Sequence, residues 1–296
     1  MSESGKTTDN REAWAKDVTA SGFGGGPSWS DPGEEAGVLA AARWIDRANV
    51  LDVGIGGCRT TSILKPRAIR YVGVDFAPAR VEAARRAHPD ADIRHMDARS
   101  LEQFGQGEFD FVQFSYNGID SVPHDDRAQI LSEFHRVLRP GGALLVSTLN
   151  IQGSLFGATP WLPRSSTGSA GSVRALARKV KRGVYASATV VRAYSSGARR
   201  HQFQLQARNW HRLSIQRETG DGWGLDVLDA LDFTVLAHFE SLRKLRSELD
   251  CAHFDIKHIW TDTGVEVPTS AGDSTAAWFQ ALAVAPGRST GGVQGE

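Results

Sequence analysis

The stretch from residue 34 to residue 149 alternates between helical and strand-like patterns, and this alternation constrains the fold more than any other feature of the chain. Short apolar runs, which predict buried strands, occupy 49–53, 69–74, 93–96, 109–114 and 143–149. Helical periodicity occupies 34–47, 78–87 and 126–138. Strands that alternate with helices pair in parallel through right-handed crossovers. The sequence therefore predicts an open, doubly wound α/β sheet with a ligand crevice at the carboxyl ends of its strands.

The composition excludes several other classes of protein. Two cysteines among 296 residues are too few for a disulfide framework or a four-cysteine zinc site, and they favour a reducing, cytoplasmic compartment. No apolar run reaches the ~20 residues that a membrane span needs. The first eleven residues lack the apolar segment of a secretory signal.

The chain divides into three predicted parts. Residues 1–33 hold a short helix candidate and a Gly-rich segment, residues 34–287 form the main domain, and residues 288–296 form a disordered tail. Within the main domain, 151–235 is predicted to be an insertion that caps the crevice. A helix over 240–249 and strands over 254–260 and 276–284 complete the domain.

Two aromatic residues stand in the N-terminal part, Trp14 and Phe23. One interpretation makes them part of a lid over the ligand. The alternative is an aromatic anchor that attaches a short helix to the body of the protein.

A glycine-rich turn follows the first predicted strand, in the segment VLDVGIGGCR at 50–59. Gly54 and Gly56 allow the chain to turn tightly and to lie against a ligand. A helix that starts near Arg59 would point free N–H groups at that ligand. Such a turn also occurs between strands and helices that bind nothing, so it carries weight only together with other features.

Acidic residues end three consecutive predicted strands: Asp52, Asp75 and Asp97. A carboxylate in the position of Asp75 can accept both ribose hydroxyls of an adenosine, and one at Asp97 can accept the adenine amino group. Taken singly, Asp75 and Asp97 have a helix cap as the alternative, which is the stronger alternative for Asp97. Together the three acids favour a nucleoside ligand. A dinucleotide is disfavoured, because Arg59 stands where the G-x-G-x-x-G pattern requires a small residue.

These segments resemble the class I S-adenosylmethionine-dependent methyltransferases. The matching motifs are LDVGIGG at 51–57, GVD at 73–75, HMDA at 95–98, FDFV at 109–112 and RVLRPGG at 136–142. The resemblance implies a Rossmann-like sheet of seven mostly parallel strands, of which the last, here 276–284, is antiparallel. It also implies S-adenosylmethionine as the cofactor. Cys58 departs from the family pattern, which usually has a third glycine there.

The resemblance also implies the cofactor contacts. Asp52 with the turn glycines would hold the methionine part, Asp75 the ribose, and Asp97 with the Ala98 backbone the adenine. The full predicted set of cofactor-binding residues is Asp52, Gly54, Gly56, Gly57, Asp75, Phe76, Asp97, Ala98 and Ser115.

The segment SYNGIDSV at 115–122 should face the transferable methyl group. Tyr116 and His124 are the candidates for orienting or deprotonating a methyl acceptor, with a packed aromatic and a surface histidine as the alternatives. The predicted acceptor contacts are Tyr116, Asn117, Asp120 and Asn150. No spacing of His, Asp and Glu predicts a metal site, and neither cysteine is placed as the nucleophile for C5 methylation.

The region after the fifth predicted strand is basic. No acidic residue stands between Glu133 and Glu218, and 151–217 holds twelve Lys and Arg, five of them on an amphipathic helix candidate at 173–184. Three interpretations stay open: a cap that attracts an anionic small molecule, a docking surface for nucleic acid or an acidic protein, and a solvated helix face.

The sequence thus predicts an enzyme that methylates nitrogen or oxygen of a small molecule by in-line displacement, with a specialised metabolite as the acceptor class. The alternatives are an RNA or protein methyltransferase that docks its substrate through the basic insertion, and a non-catalytic cofactor-binding protein. The expected partner is a small-molecule acceptor, anionic in the first interpretation, with no membrane and with nucleic acid less favoured. A homodimer is left open.

Overall fold

The computed structural model describes residues 10, 13–14, 31–160, 197–214, 220–228, 233–268, 271–272 and 274–286. The helices are α1 (Pro32–Ala40), α2 (Ala42–Ile45), α3 (Thr61–Leu64), α4 (Pro78–Ala87), α5 (His124–Val137), α6 (Gly197–Ser214) and α7 (Leu242–Cys251), with a 3₁₀ turn at Gly118–Ser121. The strands are β1 (Asn49–Val53), β2 (Arg70–Asp75), β3 (Asp92–His95), β4 (Phe109–Phe114), β5 (Leu138–Leu149), β6 (Trp223–Val227), β7 (Leu236–Glu240), β8 (Asp255–Thr261) and β9 (Trp278–Val284).

Seven of these strands form one sheet in the order β3-β2-β1-β4-β5-β9-β8. Strands β1 to β5 pair in parallel. Strand β9 is antiparallel to both of its neighbours, β5 and β8, so β8 runs in the direction of β1. The predicted fold is therefore confirmed, including the antiparallel last strand. Strands β6 and β7 form a separate antiparallel hairpin.

Both faces of the sheet are covered, as the continuous apolar runs of its central strands require. One face packs on α5 and α7, through residues such as Phe134 and Leu245. The other face packs on α1, α2 and α3, through residues such as Val38, Ile45 and Leu64. The helices on the two faces leave the carboxyl ends of β1, β2 and β4 at one edge, where the predicted site residues lie.

Two predicted elements differ from the observed ones. The helix predicted over 34–47 is two helices, α1 and α2, which meet at Ala41. Strand β5 begins at Leu138 and not at residue 143, because Gly141 donates to the Ala285 carbonyl at 2.7 Å and Gly142 accepts from the Ala285 N–H at 2.9 Å. This pairing with the segment after β9 extends the strand.

The hairpin β6–β7 was not predicted. Because it includes Glu240, the helix predicted over 240–249 begins later than expected. Glu240, predicted as the first residue of a helix, closes β7 instead. The helix α7 begins at Leu242 after the cap Ser241, whose side chain accepts from the Lys244 N–H at 3.2 Å. Alternation of apolar residues is weak in β7, where every residue is buried.

Several predictions fall on residues outside the described part of the chain: the basic helix at 173–184, Phe23, the Gly-rich segment at 22–27 and the C-terminal tail. Of the predicted N-terminal helix, residues 13 and 14 are described, and both are helical. Among the described helices, none has both the length and the apolar character required to cross a bilayer.

Candidate functional site

The glycine turn after β1 uses backbone conformations that favour glycine. Gly54 and Gly56 have φ of +66° and +50°, and Cys58 has φ of +63°. A Cβ on Gly54 would lie 2.7 Å from the Phe114 ring. A Cβ on Gly56 would lie 3.1 Å from Arg80 Nη1, and its next neighbour would be the Gly54 carbonyl oxygen at 3.8 Å. Gly54 is thus required for packing, and Gly56 leaves its backbone open toward a ligand.

The helix predicted to start near Arg59 is short. It is α3, Thr61–Leu64, with four residues. A helix of one turn carries little macrodipole, so the prediction that its N-terminus contributes to ligand binding is not supported. The turn itself and the acids beside it must supply the contacts.

Asp75, at the end of β2, faces the glycine turn. Its Oδ2 accepts the Gly56 N–H at 3.0 Å and its Oδ1 accepts the Ala77 N–H at 2.9 Å. The residue is 4% exposed, and burial raises the pKa of the carboxyl against the two hydrogen bonds and nearby Arg80. Each carboxylate oxygen has a second acceptor position, so two further hydroxyl groups can be bound. The N-cap of α4 is Ala77 and not Asp75.

Asp52, in β1, is fully buried. Its Oδ2 accepts from Thr60 Oγ1 and from Tyr71 OH, each at 2.7 Å. Its Oδ1 has no hydrogen-bond partner among the described residues. Burial raises the pKa of this carboxyl to about 6. A buried acceptor without a partner is costly, and a cationic donor such as an ammonium group would satisfy it.

Asp97 follows β3, as predicted, and its carboxylate is paired with Arg99. The guanidinium donates from Nε to Oδ1 at 3.0 Å and from Nη2 to Oδ2 at 2.6 Å, and it also reaches Asp126 at 2.7 Å. An adenine amino group would share this carboxylate with Arg99. Phe76 and Ala98 are both half-buried.

Arg80 lies at this site and was not singled out from the sequence. It is 6% exposed, and its Nε and Nη2 have no hydrogen-bond partner within the described part of the chain. Its guanidinium carbon lies 5.0 Å from the centre of the Trp14 ring. Burial lowers the pKa of Arg80, and Asp75 opposes this.

The N-terminal residues reach the same edge of the sheet. Trp14 stacks on Arg80, and the Asn10 amide donates to the Ser121 carbonyl at 2.9 Å and to the Leu236 carbonyl at 2.7 Å. This placement agrees with the hypothesis that Trp14 belongs to a lid, which stays a prediction.

A buried ionic network joins α1 to the ends of β1 and β4. Glu34 is fully buried and pairs with Arg59, whose Nη2 lies 2.8 Å from Glu34 Oε1. Arg59 also donates to Ser115 Oγ at 2.7 Å, and the Ser115 hydroxyl contacts Glu34. Ser115 is thus held by protein groups beside the turn. No local pattern singles out Glu34, because its partners stand 25 and 81 positions away.

Two consecutive residues after β4, Tyr116 and Asn117, adopt left-handed conformations with φ of +52° and +57°. Tyr116 is 45% exposed. The Asn117 N–H donates to Ser147 Oγ at 2.6 Å, and its buried Oδ1 has no partner among the described residues. Backbone strain of this kind concentrates at functional sites, which agrees with the predicted acceptor contacts.

Asp120 and Asn150 do not have the placement expected for acceptor contacts. Asp120 Oδ2 accepts the Leu149 N–H at 2.7 Å, and its Oδ1 accepts from Thr148 at 2.8 Å and from Arg127 at 2.7 Å. Asn150 donates to the carbonyls of Ser274 at 2.6 Å and Ala276 at 2.8 Å. Both side chains are fully buried, so their partners give them a structural role.

His124, at the start of α5, is half-buried and stacks on Trp223 with ring centres 3.9 Å apart. Its Nδ1 lies 2.9 Å from Nε2 of His238, a fully buried residue of β7. Burial is the main cause that lowers the pKa of His124. His238 was not predicted as a site residue, because its strand β7 was not predicted.

A cleft of about 910 Å³ lies elsewhere, between α7 and the edge strand β8. It is lined by Asp255 and Lys257, at the start of β8. Since β8 runs parallel to β1, this cleft lies at the opposite edge of the sheet from Asp52 and Asp75. It is not the candidate site.

Residues 50–142 match the family model described as a methyltransferase domain. This match covers the glycine turn, the three acids and the segment after β4. This segment of the chain is therefore similar to a methyltransferase domain. The similarity to S-adenosylmethionine-dependent methyltransferases bears out the predicted cofactor. Asp75, Asp52 and the open backbone at Gly56 form a donor and acceptor set that suits its ribose and its ammonium group.

Individual relatives of this methyltransferase domain resemble only part of the chain. A probable S-adenosylmethionine-dependent methyltransferase of Mycolicibacterium smegmatis is 36% identical over 102 residues, 34% of this chain and 38% of that protein. The ubiquinone biosynthesis O-methyltransferase of Pseudomonas paraeruginosa is 30% identical over 117 residues, 36% of this chain and 49% of that protein. The chain thus spans less than half the length of these curated relatives.

Solved structures of methyltransferases share the fold. A SAM-dependent methyltransferase of Methanosarcina mazei superposes with a TM-score of 0.51 at 17% identity, covering 84% of this chain and 97% of that one. An S-adenosylmethionine-dependent methyltransferase of Clostridium acetobutylicum has a TM-score of 0.50 at 9% identity, covering 86% and 92%. At these identities the likeness concerns the fold alone.

Proposed function

We propose that this protein transfers the methyl group of S-adenosylmethionine to a nitrogen or oxygen atom of a small molecule. The observation that carries the proposal is the pair of buried carboxylates, Asp52 and Asp75, on either side of the glycine turn. Both retain acceptor positions that no described residue fills. A protein that kept the fold for interaction alone would not need them.

The residues at the turn would bind and orient the cofactor. Asp75 would accept the two ribose hydroxyls, Asp52 the ammonium group, and Asp97 the adenine amino group. The cofactor supplies an electrophilic methyl group when bound. Because displacement at that methyl group requires proximity and alignment, the protein contributes chiefly by holding the acceptor in line.

Tyr116 and His124 are the proposed acceptor-side residues. Tyr116 is exposed on the strained turn after β4. His124 Nδ1 lies 2.9 Å from His238 Nε2. In the tautomer in which Nδ1 donates this hydrogen bond, His124 Nε2 carries the lone pair that would take a proton from a hydroxyl or an ammonium group.

The structure that covers the carboxyl ends of the strands supports a small acceptor. The hairpin β6–β7 lies against this edge, where His238 contacts His124 and Glu240 bridges to Asn150. Such a cover narrows the access to the methyl position. The relative named as a ubiquinone biosynthesis O-methyltransferase points, by its name, to a small-molecule acceptor.

The test is transfer of radiolabel from S-adenosylmethionine to three acceptor pools: small N- and O-nucleophiles with anionic members, total RNA, and a protein extract. We expect label in the small-molecule pool, and none with the Asp75→Ala variant. Asp90→Ala is the matched control, because Asp90 is an exposed aspartate paired with Lys65. Label in RNA or protein alone would contradict the proposed acceptor class, and no label in any pool would contradict the activity.

A further inference from the structure

Two histidines and a glutamate from three separate elements meet beside the hairpin β6–β7. His124 begins α5, His238 lies in β7 and Glu248 lies in α7. One nitrogen of each imidazole and one oxygen of the carboxylate all lie within 4.8 Å of one another. The sequence predicted no metal site, because these ligands are far apart in the chain and His238 stands in an unpredicted strand.

The two imidazoles already face each other at nearly the separation that a shared metal ion needs. His124 Nδ1 and His238 Nε2 are 2.9 Å apart, and the ring planes differ by 11°. Bonds of about 2.0–2.1 Å from Zn²⁺ to two nitrogens at a tetrahedral angle would span about 3.3 Å. The pair would therefore open by a few tenths of an ångström.

The environment of His238 Nδ1 also supports a metal ion on His238 Nε2. His238 is fully buried, and its Nδ1 has no hydrogen-bond partner among the described residues. The nearest carboxylate oxygen is Asp120 Oδ1, at 4.0 Å. A metal ion on Nε2 fixes the proton on Nδ1, and metal-bound histidines usually present that proton to a carboxylate. Asp120 Oδ1 is beyond hydrogen-bond distance and already accepts from Thr148 and Arg127, so it acts on this nitrogen through its charge alone.

Glu248 supplies the carboxylate of the cluster. It lies 3.0 Å from the buried Arg127 and 3.7 Å from Lys244, and Arg127 also contacts Asp120 at 2.7 Å and Glu240 at 2.6 Å. The proposed ion would therefore share Glu248 with these two cations.

We propose that His124, His238 and Glu248 bind a divalent transition-metal ion. Two imidazole nitrogens and one carboxylate oxygen suit Zn²⁺ and its neighbours in the first row and leave a fourth position open. Trp223, stacked on His124, fixes the orientation of that imidazole. With the ion bound, His124 orients an acceptor group instead of deprotonating it. The contacts of Asp52 and Asp75 do not depend on this site.

The experiment is calorimetric titration of ZnCl₂ into the full chain after removal of metals by a chelator. We expect one equivalent to bind, and we expect the affinity to fall at least about tenfold in His124→Gln and in Glu248→Gln, since even outer partners of metal ligands contribute that much. Both residues are partly exposed, so these variants should fold, which circular dichroism checks. His238 is fully buried and is not used for this reason.

The matched control is His258→Ala. His258 lies 2.6 Å from Glu266 on the exposed edge strand, so it is a histidine–carboxylate pair that lacks the second imidazole. We expect unchanged stoichiometry and affinity in this variant. Co²⁺ gives an independent readout, because its visible absorption bands should be lost in His124→Gln. No stoichiometric binding, unchanged affinity in His124→Gln, or loss of binding in His258→Ala would each overturn the proposal.

Discussion

The carboxylate of Asp75 accepts the backbone N–H of Gly56 at 3.0 Å, which ties the end of β2 to the turn after β1. The same carboxylate is the predicted ribose contact. The position of the turn and the recognition of the ribose are therefore coupled through one side chain. A change at Asp75 should affect both.

Replacement of Asp75 by Ala should weaken the binding of S-adenosylhomocysteine by roughly 2–4 kcal/mol, because two charge-assisted hydrogen bonds are lost. Calorimetric titration measures this. Asp90→Ala should bind like the wild type. Equal affinities in Asp75→Ala and the wild type, with both proteins folded, would remove Asp75 from the cofactor site.

Replacement of Gly54 by Ala should destabilise the fold. The residue has φ of +66°, and the added Cβ would lie 2.7 Å from the Phe114 ring. We expect a loss of about 1–3 kcal/mol in the free energy of unfolding from backbone strain, with the clash in addition. Urea denaturation measures this. Gly105→Ala is the control, because its Cβ would meet no atom closer than 3.6 Å. Equal losses in both variants would show that the turn tolerates a side chain.

The stability of the protein should fall as the pH rises from about 4 to about 6 because of Asp52. Burial raises the pKa of this carboxyl from 3.8 to about 6. Within this window the folded protein holds a proton that the unfolded chain has released, so the free energy of unfolding decreases with pH, by roughly 3 kcal/mol in total. Asp52→Asn should make the fall of the thermal midpoint over this pH range smaller than in the wild type. The part that remains belongs to Asp120, whose pKa burial raises to about 7, and to Glu240, whose pKa burial also raises. Asp46→Asn, at an exposed aspartate paired with Arg67, should leave the fall as in the wild type, and an equally large fall in Asp52→Asn would contradict the role of Asp52.

We expect Tyr116 to lower the free energy of unfolding and to contribute to activity toward the acceptor. Its left-handed conformation costs a non-glycine residue of order 1 kcal/mol. Tyr116→Gly should therefore raise the free energy of unfolding while it lowers kcat/KM for the acceptor, and cofactor affinity should stay unchanged. Tyr116→Ala separates the two effects, since it retains the strain but lacks the ring. Full activity in both variants would remove Tyr116 from the acceptor site.

Arg127 should be among the most sensitive positions of the fold. Its loss leaves Asp120, Glu240 and Glu248 without the guanidinium that they share, and we expect Arg127→Met to cost about 3–5 kcal/mol. Arg139→Met removes an exposed pair with Asp110 and should cost at most about 1 kcal/mol. Chemical denaturation compares the two, and a similar small loss in both would mean that the buried network contributes little.

Local sequence pattern was sufficient for the sheet and for the acids at its edge. Asp52 and Asp75 end apolar runs beside a glycine turn, and a run of this kind has few alternatives to a buried parallel strand. The number of strands and the antiparallel last strand then followed from the family resemblance. The early start of β5 was not predicted, because the pairing of Gly141 and Gly142 with Ala285 depends on residues far away in the chain.

The parts that sequence did not predict depend on contacts between distant residues. Glu34 becomes a site neighbour only through Arg59 and Ser115. His238 was missed because β7 is buried along its whole length and lacks the apolar alternation that predicts a strand. Asp120 shows the opposite error. Its position after β4 is typical of an acceptor contact, but Thr148, Leu149 and Arg127 take its oxygens.

The ion pair between Glu34 and Arg59 limits where the chain can be truncated. The matched family region starts at residue 50, yet α1 supplies the carboxylate that neutralises a guanidinium of the cofactor turn. A fragment cut at residue 50 would keep every sequence motif and lose that counter-charge. Grafts and truncations should therefore retain the chain from Asp31, which caps α1, because the helix and the turn form a single inseparable unit.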